Sequence, residues 1–276
     1  SYKIFKKSNL SNEQIFKIYN FCKNRKINIF STFDRKNFEF FRKINQICYK
    51  ISSSLFYDYY FIKEILKSQK PVLISSGVSD INDINVLLNL LKKEKNKKIA
   101  LLHCRSLYPT NISKLNLSRI SHLKSKYGLI TGFSDHTLGL SAPVASIHYG
   151  AKIIEKHFTL DSKRKNFDHQ ISLEPKMFKL MVNKIRENEK MIGKFDYKIN
   201  ENSKDFDQLK KVIRSFQISK DIKKNTLLKS QDFKLIRTNK SKNIFKFDKL
   251  ILKILKKKTS KNLRAGKFLS LSSFKK

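Results

Sequence analysis

Residues 132–159 read GFSDHTLGLSAPVASIHYGAKIIEKHFT and contain a β-strand, a short helix and a second β-strand in succession. The period-two alternation of AKIIEKHF (151–158) directs Glu155 and His157 to the same face of the second strand. His136 follows the first strand, and strands joined by one short crossover helix are usually neighbours. We therefore expect His136 and His157 to lie at the same rim of a parallel sheet.

The alternation of strand and helix extends along most of the chain. Strands are predicted at residues 27–32, 47–53, 71–77, 98–104, 128–134 and 151–158. Amphipathic helices lie between them, and this order predicts right-handed crossovers and a parallel α/β sheet. An open doubly wound sheet and a (β/α)8 barrel both fit the pattern. The chain has seven glycines and no GxGxxG or GxxxxGK[ST] motif, so the nucleotide-binding open sheet lacks its usual signature.

Three regions are distinguished by their patterns. A helix that begins at Pro175 and ends at Gly193 closes a first domain, residues 1–193. Residues 194–210 are polar and aperiodic, which predicts a linker. Residues 211–276 contain short strands around basic turns, and we expect them to form a small β-rich domain.

The composition limits the classes of partner. The 60 Lys and Arg residues against 22 Asp and Glu give a net charge of +38, which raises nucleic acid or an anionic membrane as a partner. The lysines are spread along the chain without an arginine-rich stripe, which favours a solvated coat over a nucleic-acid interface. No apolar run approaches the about 20 residues that span a membrane. Three separated cysteines indicate neither disulfides nor a thiolate zinc site, so we expect a reducing cytoplasm.

Polar side chains follow all six predicted strands at their carboxyl ends, from Ser31 and Thr32 through His103–Tyr108 to Glu155 and His157. They predict a polar mouth on one side of the sheet. Lys50 and Ser53, facing the hydroxyls of Ser75 and Ser76, suit a phosphate or a carboxylate. Ordinary capping of strand ends is the alternative for these serines.

The two histidines have two interpretations as well. A pair of neutral imidazoles that leaves positions open for water and substrate suits a catalytic divalent metal. A buried histidine with its hydrogen bonds satisfied is the alternative for either His136 or His157.

Seven motifs within residues 27–175 together resemble the sialic acid synthase family in order and spacing. They are IFSTFD, YKISSS, PVLISSG, LLHCRSLYPT, GFSDHT, GAKIIEKHFTLD and DHQISLEP. Members of that family condense phosphoenolpyruvate with N-acetylmannosamine or a related hexosamine. The segment RSFQISKDIKKNTLLKSQDF is similar to the family's antifreeze-like (SAF) domain. The resemblance implies a TIM (β/α)8 barrel followed by a small β-rich SAF domain of the β-clip type.

The resemblance also implies roles for individual residues. Positions that match phosphoenolpyruvate contacts are Lys50, Ser53, Ser75, Ser106 and Ser134. His136 and His157 match the ligands of Mn2+ or Mg2+, and with Asp168 they are the expected catalytic residues. Tyr108 and Asp168 match positions near the amino sugar. Arg237 matches the SAF arginine that reaches a partner subunit's sugar site, which implies a domain-swapped homodimer.

The implied reaction is a carbon–carbon condensation in the cytoplasm. The enol carbon of phosphoenolpyruvate attacks the open-chain sugar aldehyde, which the divalent metal polarises; water then adds and phosphate leaves. The hexosamine stays open among N-acetylmannosamine, its 6-phosphate and the dideoxy-diacetamido sugars. Leu55 stands where the family often has an acidic residue near the sugar.

The resemblance further predicts a truncated barrel. The family's first two strands, with a glutamate and a lysine, are expected before residue 1, and with the six predicted strands they make eight. A barrel without two strands exposes unpaired edges, so we expect this polypeptide to be poorly soluble or inactive alone. Two other functions stay open: a non-catalytic relative that binds a ligand or partner, and a basic nucleic-acid-binding protein with salt-dependent affinity.

Overall fold

The computed structural model describes residues 10–31, 34–95, 98–165, 167–194, 204–210, 212, 214–237, 257–269 and 271–274. The chain forms two compact units, Ser1–Lys194 and Phe195–Lys276, and each has its own architecture.

The first unit alternates helices and strands. Its helices are α1 (Asn12–Asn24), α2 (Phe38–Lys43), α3 (Tyr59–Leu66), α4 (Ile81–Leu91), α5 (Ser118–Tyr127), α6 (Ser141–Ser146) and α7 (Pro175–Ile192). Its strands are β1 (Tyr49–Ile51), β2 (Val72–Ser75), β3 (Ile99–Cys104), β4 (Ile130–Asp135) and β5 (Ile153–Lys156). Short 3-10 turns occur at Arg35–Asn37, Ser53–Leu55, Ile112–Lys114, Ile147–Tyr149 and Phe167–Ile171.

The five strands form one parallel sheet in the order β1-β2-β3-β4-β5, which confirms the predicted parallel α/β architecture. A doubly wound sheet reverses its strand order at a switch point, whereas this order follows the chain as in a barrel. The sheet is also strongly curved, because Lys50 Nζ on β1 lies 3.4 Å from Glu155 Oε2 on β5. Flat strands about 4.8 Å apart would hold β1 and β5 about 19 Å from each other. The sheet is therefore an arc of a TIM-barrel-like fold.

The apolar core lies between this arc and the helices. Ile51, Ile74 and Leu101 on the strands are fully buried, and so are Phe61 and Ile65 on α3. Burial of such side chains contributes about 1.5–3 kcal/mol each. The core therefore fixes which face of each strand is turned toward the helices and which toward the interior of the arc.

The predicted strand at residues 27–32 is wrong for residues 27–31, and Thr32 lies outside the described residues. The first residue of the segment is used to end α1, because the Ile27 N–H donates to the Cys22 carbonyl at 2.9 Å. At the other end, the Ser31 N–H donates to the Gln46 side chain at 2.6 Å. Ile27 and Phe30 are 53% and 40% exposed, so the apolar run that predicted a buried strand has no core around it.

The second unit is β-rich, as predicted for residues 211–276. It contains α8 (Lys204–Lys210), whose residues fall in the predicted linker, and an antiparallel pair of strands, β6 (Arg214–Ile218) and β7 (Phe233–Arg237). Short 3-10 turns lie at Ser230–Asp232 and Leu271–Ser273. Its small core is formed by Ile218, Ile222, Leu228, Leu263, Leu269 and Phe274. No helix in the described part of the chain is both long and apolar enough to span a membrane.

A buried ion pair lies on the helix-facing side of the sheet. Lys156 Nζ on β5 is 2.8 Å from Asp135 Oδ2 on β4, and both side chains are fully buried. Lys156 also donates to the Thr137 carbonyl, and the Thr137 N–H donates to Asp135 Oδ1 at 2.9 Å. Removing one partner of such a pair leaves an uncompensated charge in a low-dielectric environment.

We expect Lys156→Met to lower the free energy of unfolding by about 3–5 kcal/mol, because Asp135 then stays buried without its cation. Urea denaturation followed by circular dichroism measures this loss. Lys184→Met is the matched control, since the Lys184–Glu187 pair also spans 2.8 Å but its side chains are 50% and 56% exposed. The control should lose less than about 1 kcal/mol of unfolding free energy. Equal losses in the two variants would contradict a buried Lys156–Asp135 ion pair.

Candidate active site

A polar cluster lies on the inner face of the arc at the carboxyl ends of the strands. Lys50 on β1 has a side-chain exposure of 6% and faces Glu155 on β5 at 3.4 Å. The Glu155 carboxylate accepts a second contact from Ser134 Oγ on β4 at 2.6 Å. The structure thus brings the predicted anion-binding residues Lys50 and Ser134 into one chain of contacts, with Glu155 as the link between them.

Ser53 and Ser106 converge on the turn after β2, at Gly77. Ser53 Oγ accepts a hydrogen bond from the Gly77 N–H at 3.0 Å. A Cβ atom on Gly77 would meet Ser53 Oγ at 2.6 Å and Cys104 Sγ at 2.9 Å, and it would overlap Ser106 Oγ. Only glycine therefore allows the two serine hydroxyls to come this close to the backbone of the turn.

Ser75 and Ser76 differ in their hydrogen bonds, and each fits a different one of the two interpretations, anion binding and strand-end capping. Ser76 Oγ donates to the Leu102 carbonyl at 3.1 Å, which is ordinary strand-end capping. Ser75 is 2% exposed, and its hydroxyl has no hydrogen-bond partner among the described residues. An unpartnered buried hydroxyl costs about 1–3 kcal/mol. A ligand oxygen at this position would remove that cost.

His136 and His157 are brought together at the rim, as their positions predict. Their ring centroids are 5.2 Å apart, and Tyr108 stacks on His136 at 4.1 Å. His136 Nδ1 donates to the Arg105 carbonyl at 2.8 Å. This bond fixes the tautomer and leaves the lone pair of Nε2 available to a metal ion.

His157 is also held in the form that binds metals. Burial lowers the pKa of His157, the neighbouring His136 lowers it further, and the Asp168 carboxylate, 3.6 Å from Nδ1, opposes them. Among the described residues, no group of three or more His, Cys, Asp or Glu side chains could hold a metal ion. A metal ion at this pair would therefore have two imidazole ligands from the described part of the chain.

The residues predicted to contact the sugar lie in two places. Tyr108 and Asp168 are at the rim beside the histidines, and burial with nearby acidic groups raises the pKa of Tyr108 to about 12. The Tyr108 hydroxyl is therefore a protonated donor at neutral pH. Arg237 belongs to the second unit, where it is exposed at the end of β7 opposite Arg214.

Cys104 is a residue of the cluster that sequence reasoning missed. Its Sγ lies 3.8 Å from His136 Nδ1 and 3.9 Å from Ser53 Oγ. Burial raises the pKa of Cys104, so the thiol stays protonated. The available signal was its place at the end of β3, where its register with Ser134 gives it the same face.

The prediction that His103 lines the polar mouth is wrong. It is fully buried on the helix-facing side, where Nε2 donates to the Leu115 carbonyl at 2.7 Å and the ring stacks on Phe133. Alternation along β3 gives His103 and Cys104 opposite faces, so they cannot both line the interior. Burial lowers the pKa of His103 to about 4.

A TIM-barrel-like sheet with a polar, partly unsatisfied cluster at its strand ends has the architecture of an enzyme. The NeuB family model matches residues 1–197. The chain belongs to the NeuB family.

Individual proteins are also similar to this chain. An uncharacterized protein of Methanocaldococcus jannaschii is 41% identical over 193 residues, which cover 70% of this chain and 57% of that protein. The pseudaminic acid synthase of Campylobacter jejuni is 33% identical over 277 residues, 99% of this chain and 78% of that protein. The crystal structure of an N-acetylneuraminic acid (sialic acid) synthetase from Leptospira borgpetersenii has a TM-score of 0.69 and 29% identity, covering 74% of this chain and 72% of that one.

The buried His103 predicts an acid-dependent loss of stability. The pKa of His103 is about 4 in the folded chain, whereas its ordinary value of 6.5 applies in the unfolded chain. Below pH 6.5 the unfolded chain therefore binds a proton that the folded chain excludes. The stabilisation is present above pH 6.5 and is lost as the pH falls toward 4, by about 3 kcal/mol in total. We expect urea denaturation at pH 7.5 and pH 4 to show this extra loss in the wild type and not in His103→Gln. Identical losses in the two proteins would contradict a neutral buried imidazole.

Proposed function

We propose that the chain is a nonulosonate synthase, or a part of one, that condenses phosphoenolpyruvate with an N-acetylated hexosamine and releases phosphate. Its NeuB family membership and its similarity to a pseudaminic acid synthase and a sialic acid synthetase support this class of reaction. The observation that carries the proposal is the buried Lys50 in one cluster with Ser75, whose hydroxyl has no hydrogen-bond partner among the described residues.

The cluster has the chemistry that phosphoenolpyruvate requires. Lys50 is a fixed cation in a buried environment, where its attraction for a phosphate or carboxylate is stronger than in water. The hydroxyls of Ser53, Ser75 and Ser106 add neutral donors without adding charge. Ser134, which donates to Glu155, is the fifth position assigned to this substrate and holds that carboxylate beside Lys50.

His136 and His157 are the residues that would hold Mn2+ or Mg2+. A bound divalent ion would supply Lewis-acid polarisation of the sugar aldehyde. The Arg105 carbonyl fixes the His136 tautomer, and Tyr108 stacks on the same ring at the exposed rim. We assign Tyr108 and Asp168 to the amino sugar, and together with His136 and His157 these two residues form the acceptor side of the proposed site.

The second unit has a separate role in this proposal. We assign it as an antifreeze-like SAF domain whose Arg237 completes the sugar site of a second copy in a domain-swapped homodimer. Its β-rich core and the alignment of the pseudaminic acid synthase over 99% of the chain support this assignment. The identity of the hexosamine would then depend on rim residues such as Tyr108 and on the partner's second unit.

Metal-dependent turnover tests the histidine pair. With Mn2+, phosphoenolpyruvate and N-acetylmannosamine, we expect His136→Ala to reduce phosphate release at least about 100-fold, because an ion loses one of its two imidazoles. His148→Ala is the matched control, since His148 is exposed and hydrogen-bonded to Asn188 on α7. A His136→Ala protein with full turnover would disprove the metal assignment. If the wild type releases no phosphate, equal affinity of the wild type and His136→Ala for Mn2+ in a direct titration would disprove that assignment instead.

Binding of phosphoenolpyruvate without metal tests the anion cluster independently of turnover. We expect Lys50→Gln to weaken binding about tenfold or more, since a charge-assisted hydrogen bond contributes about 1.5–3 kcal/mol. Isothermal titration calorimetry measures the dissociation constant. Lys152→Gln, which removes an exposed lysine next to β5, is the charge control and should bind like the wild type. Equal weakening in both variants would mean that general charge, and not the cluster, attracts the ligand.

A further inference from the structure

A polar cavity of about 580 Å³ lies beside the turn that follows β2. It is lined by the turn Gly77–Ile81 on one side and by Arg105, Arg119 and His122 on the other. Neither Lys50 nor Ser75 lines it, so the cavity is separate from the polar cluster. Gly77 is common to both, since its backbone contacts Ser53 in the cluster and also borders the cavity.

Both arginines of the cavity are held in place by backbone carbonyls. Arg105 Nε donates to the Lys114 carbonyl at 3.0 Å, and Arg119 Nη2 donates to the Ser79 carbonyl at 3.4 Å. A guanidinium has five N–H donors, so each of these contacts uses only one. Within the part of the chain that the structure describes, neither arginine forms an ion pair or a further hydrogen bond. The remaining donors are available to a ligand in the cavity.

The charges around the cavity favour an anion. Burial lowers the pKa of Arg119, and the nearby Arg105 lowers it further, whereas Asp80 acts in the opposite direction. Asp80 is the one carboxylate among the lining residues, and its Oδ1 already accepts from the Asn82 and Asp83 N–H groups at the start of α4. Arg105 and Arg119, which are both partly buried, therefore line the same side of the cavity, with Asp80 as the single carboxylate in its lining. A doubly charged anion would relieve their repulsion.

We propose that this cavity binds a phosphate-class oxyanion, as inorganic phosphate or as the phosphate group of a small monoester. Two guanidinium forks match the oxygens and the double negative charge of phosphate, whereas a single carboxylate would leave one fork unpaired. The site requires neither Lys50 nor the histidine pair. Its occupancy is therefore independent of the proposed condensation.

Titration of the 276-residue chain with inorganic phosphate tests this site. We expect Arg105→Gln and Arg119→Gln each to raise the dissociation constant about tenfold or more, and the double variant to abolish binding. Arg119→Lys, which keeps the charge but loses the fork, should bind with intermediate affinity. Arg186→Gln on α7 is the matched control, because its guanidinium pairs with Glu189 at an exposed position, and it should change affinity less than about twofold.

Lys50→Gln separates this site from the polar cluster. Phosphate affinity that survives Lys50→Gln but not the arginine substitutions supports the cavity. Affinity that is lost in Lys50→Gln and retained in the arginine double variant assigns the anion to the cluster and overturns the proposal, as does a wild type that binds no phosphate. Parallel titration with glucosamine 6-phosphate distinguishes inorganic phosphate from a phosphate monoester as the ligand. Tighter binding of glucosamine 6-phosphate would indicate a monoester, and tighter binding of inorganic phosphate would indicate the free ion.

Discussion

The contact between Lys50 and Glu155 is the constraint on which the rest of the first unit depends. A lysine ammonium that is almost fully buried requires a counter-charge, and the carboxylate that supplies it comes from the opposite end of the sheet. The two side chains can meet only if the five strands curve into an arc. Curvature then turns the carboxyl ends of all five strands toward one space, so Lys50 and Glu155, which are 105 positions apart in the chain, become neighbours.

Alternation along β5 extends this constraint to both faces of the sheet. Glu155 and His157 face the interior, and Lys156 between them faces the helices, where it is paired with Asp135. A shift of one residue in register would exchange the two faces and bury three charged or polar groups against the wrong partners. The Lys156–Asp135 pair on the outer face and the Lys50–Glu155 contact on the inner face therefore specify the same register, because each pairs a buried lysine with a carboxylate.

The sequence predicted most of this arrangement because strand periodicity and strand order are local properties. Five predicted strands and the proximity of His136 to His157 are confirmed, whereas the roles of these histidines stay a proposal. The strand prediction is wrong for residues 27–31 because their apolar side chains resemble a strand, whereas the Ile27 N–H is used to end α1. His103 was misread because a position near a strand end does not by itself determine a face. The cavity lined by Arg105 and Arg119 depends on how the turn after β2 packs beside α5, which periodicity does not describe.

The two anion sites differ in their charge balance, and this difference bears on how each would bind a ligand. At the cavity, Arg105 and Arg119 exceed the single carboxylate of Asp80, so a phosphate group meets a positive surface. At the polar cluster, the charge of Lys50 is already balanced by Glu155, and the serine hydroxyls add none. Further positive charge at the cluster would therefore strengthen the binding of a substrate that carries both a phosphate and a carboxylate. His136 and His157 lie at that rim, and a divalent cation held by them would provide such charge.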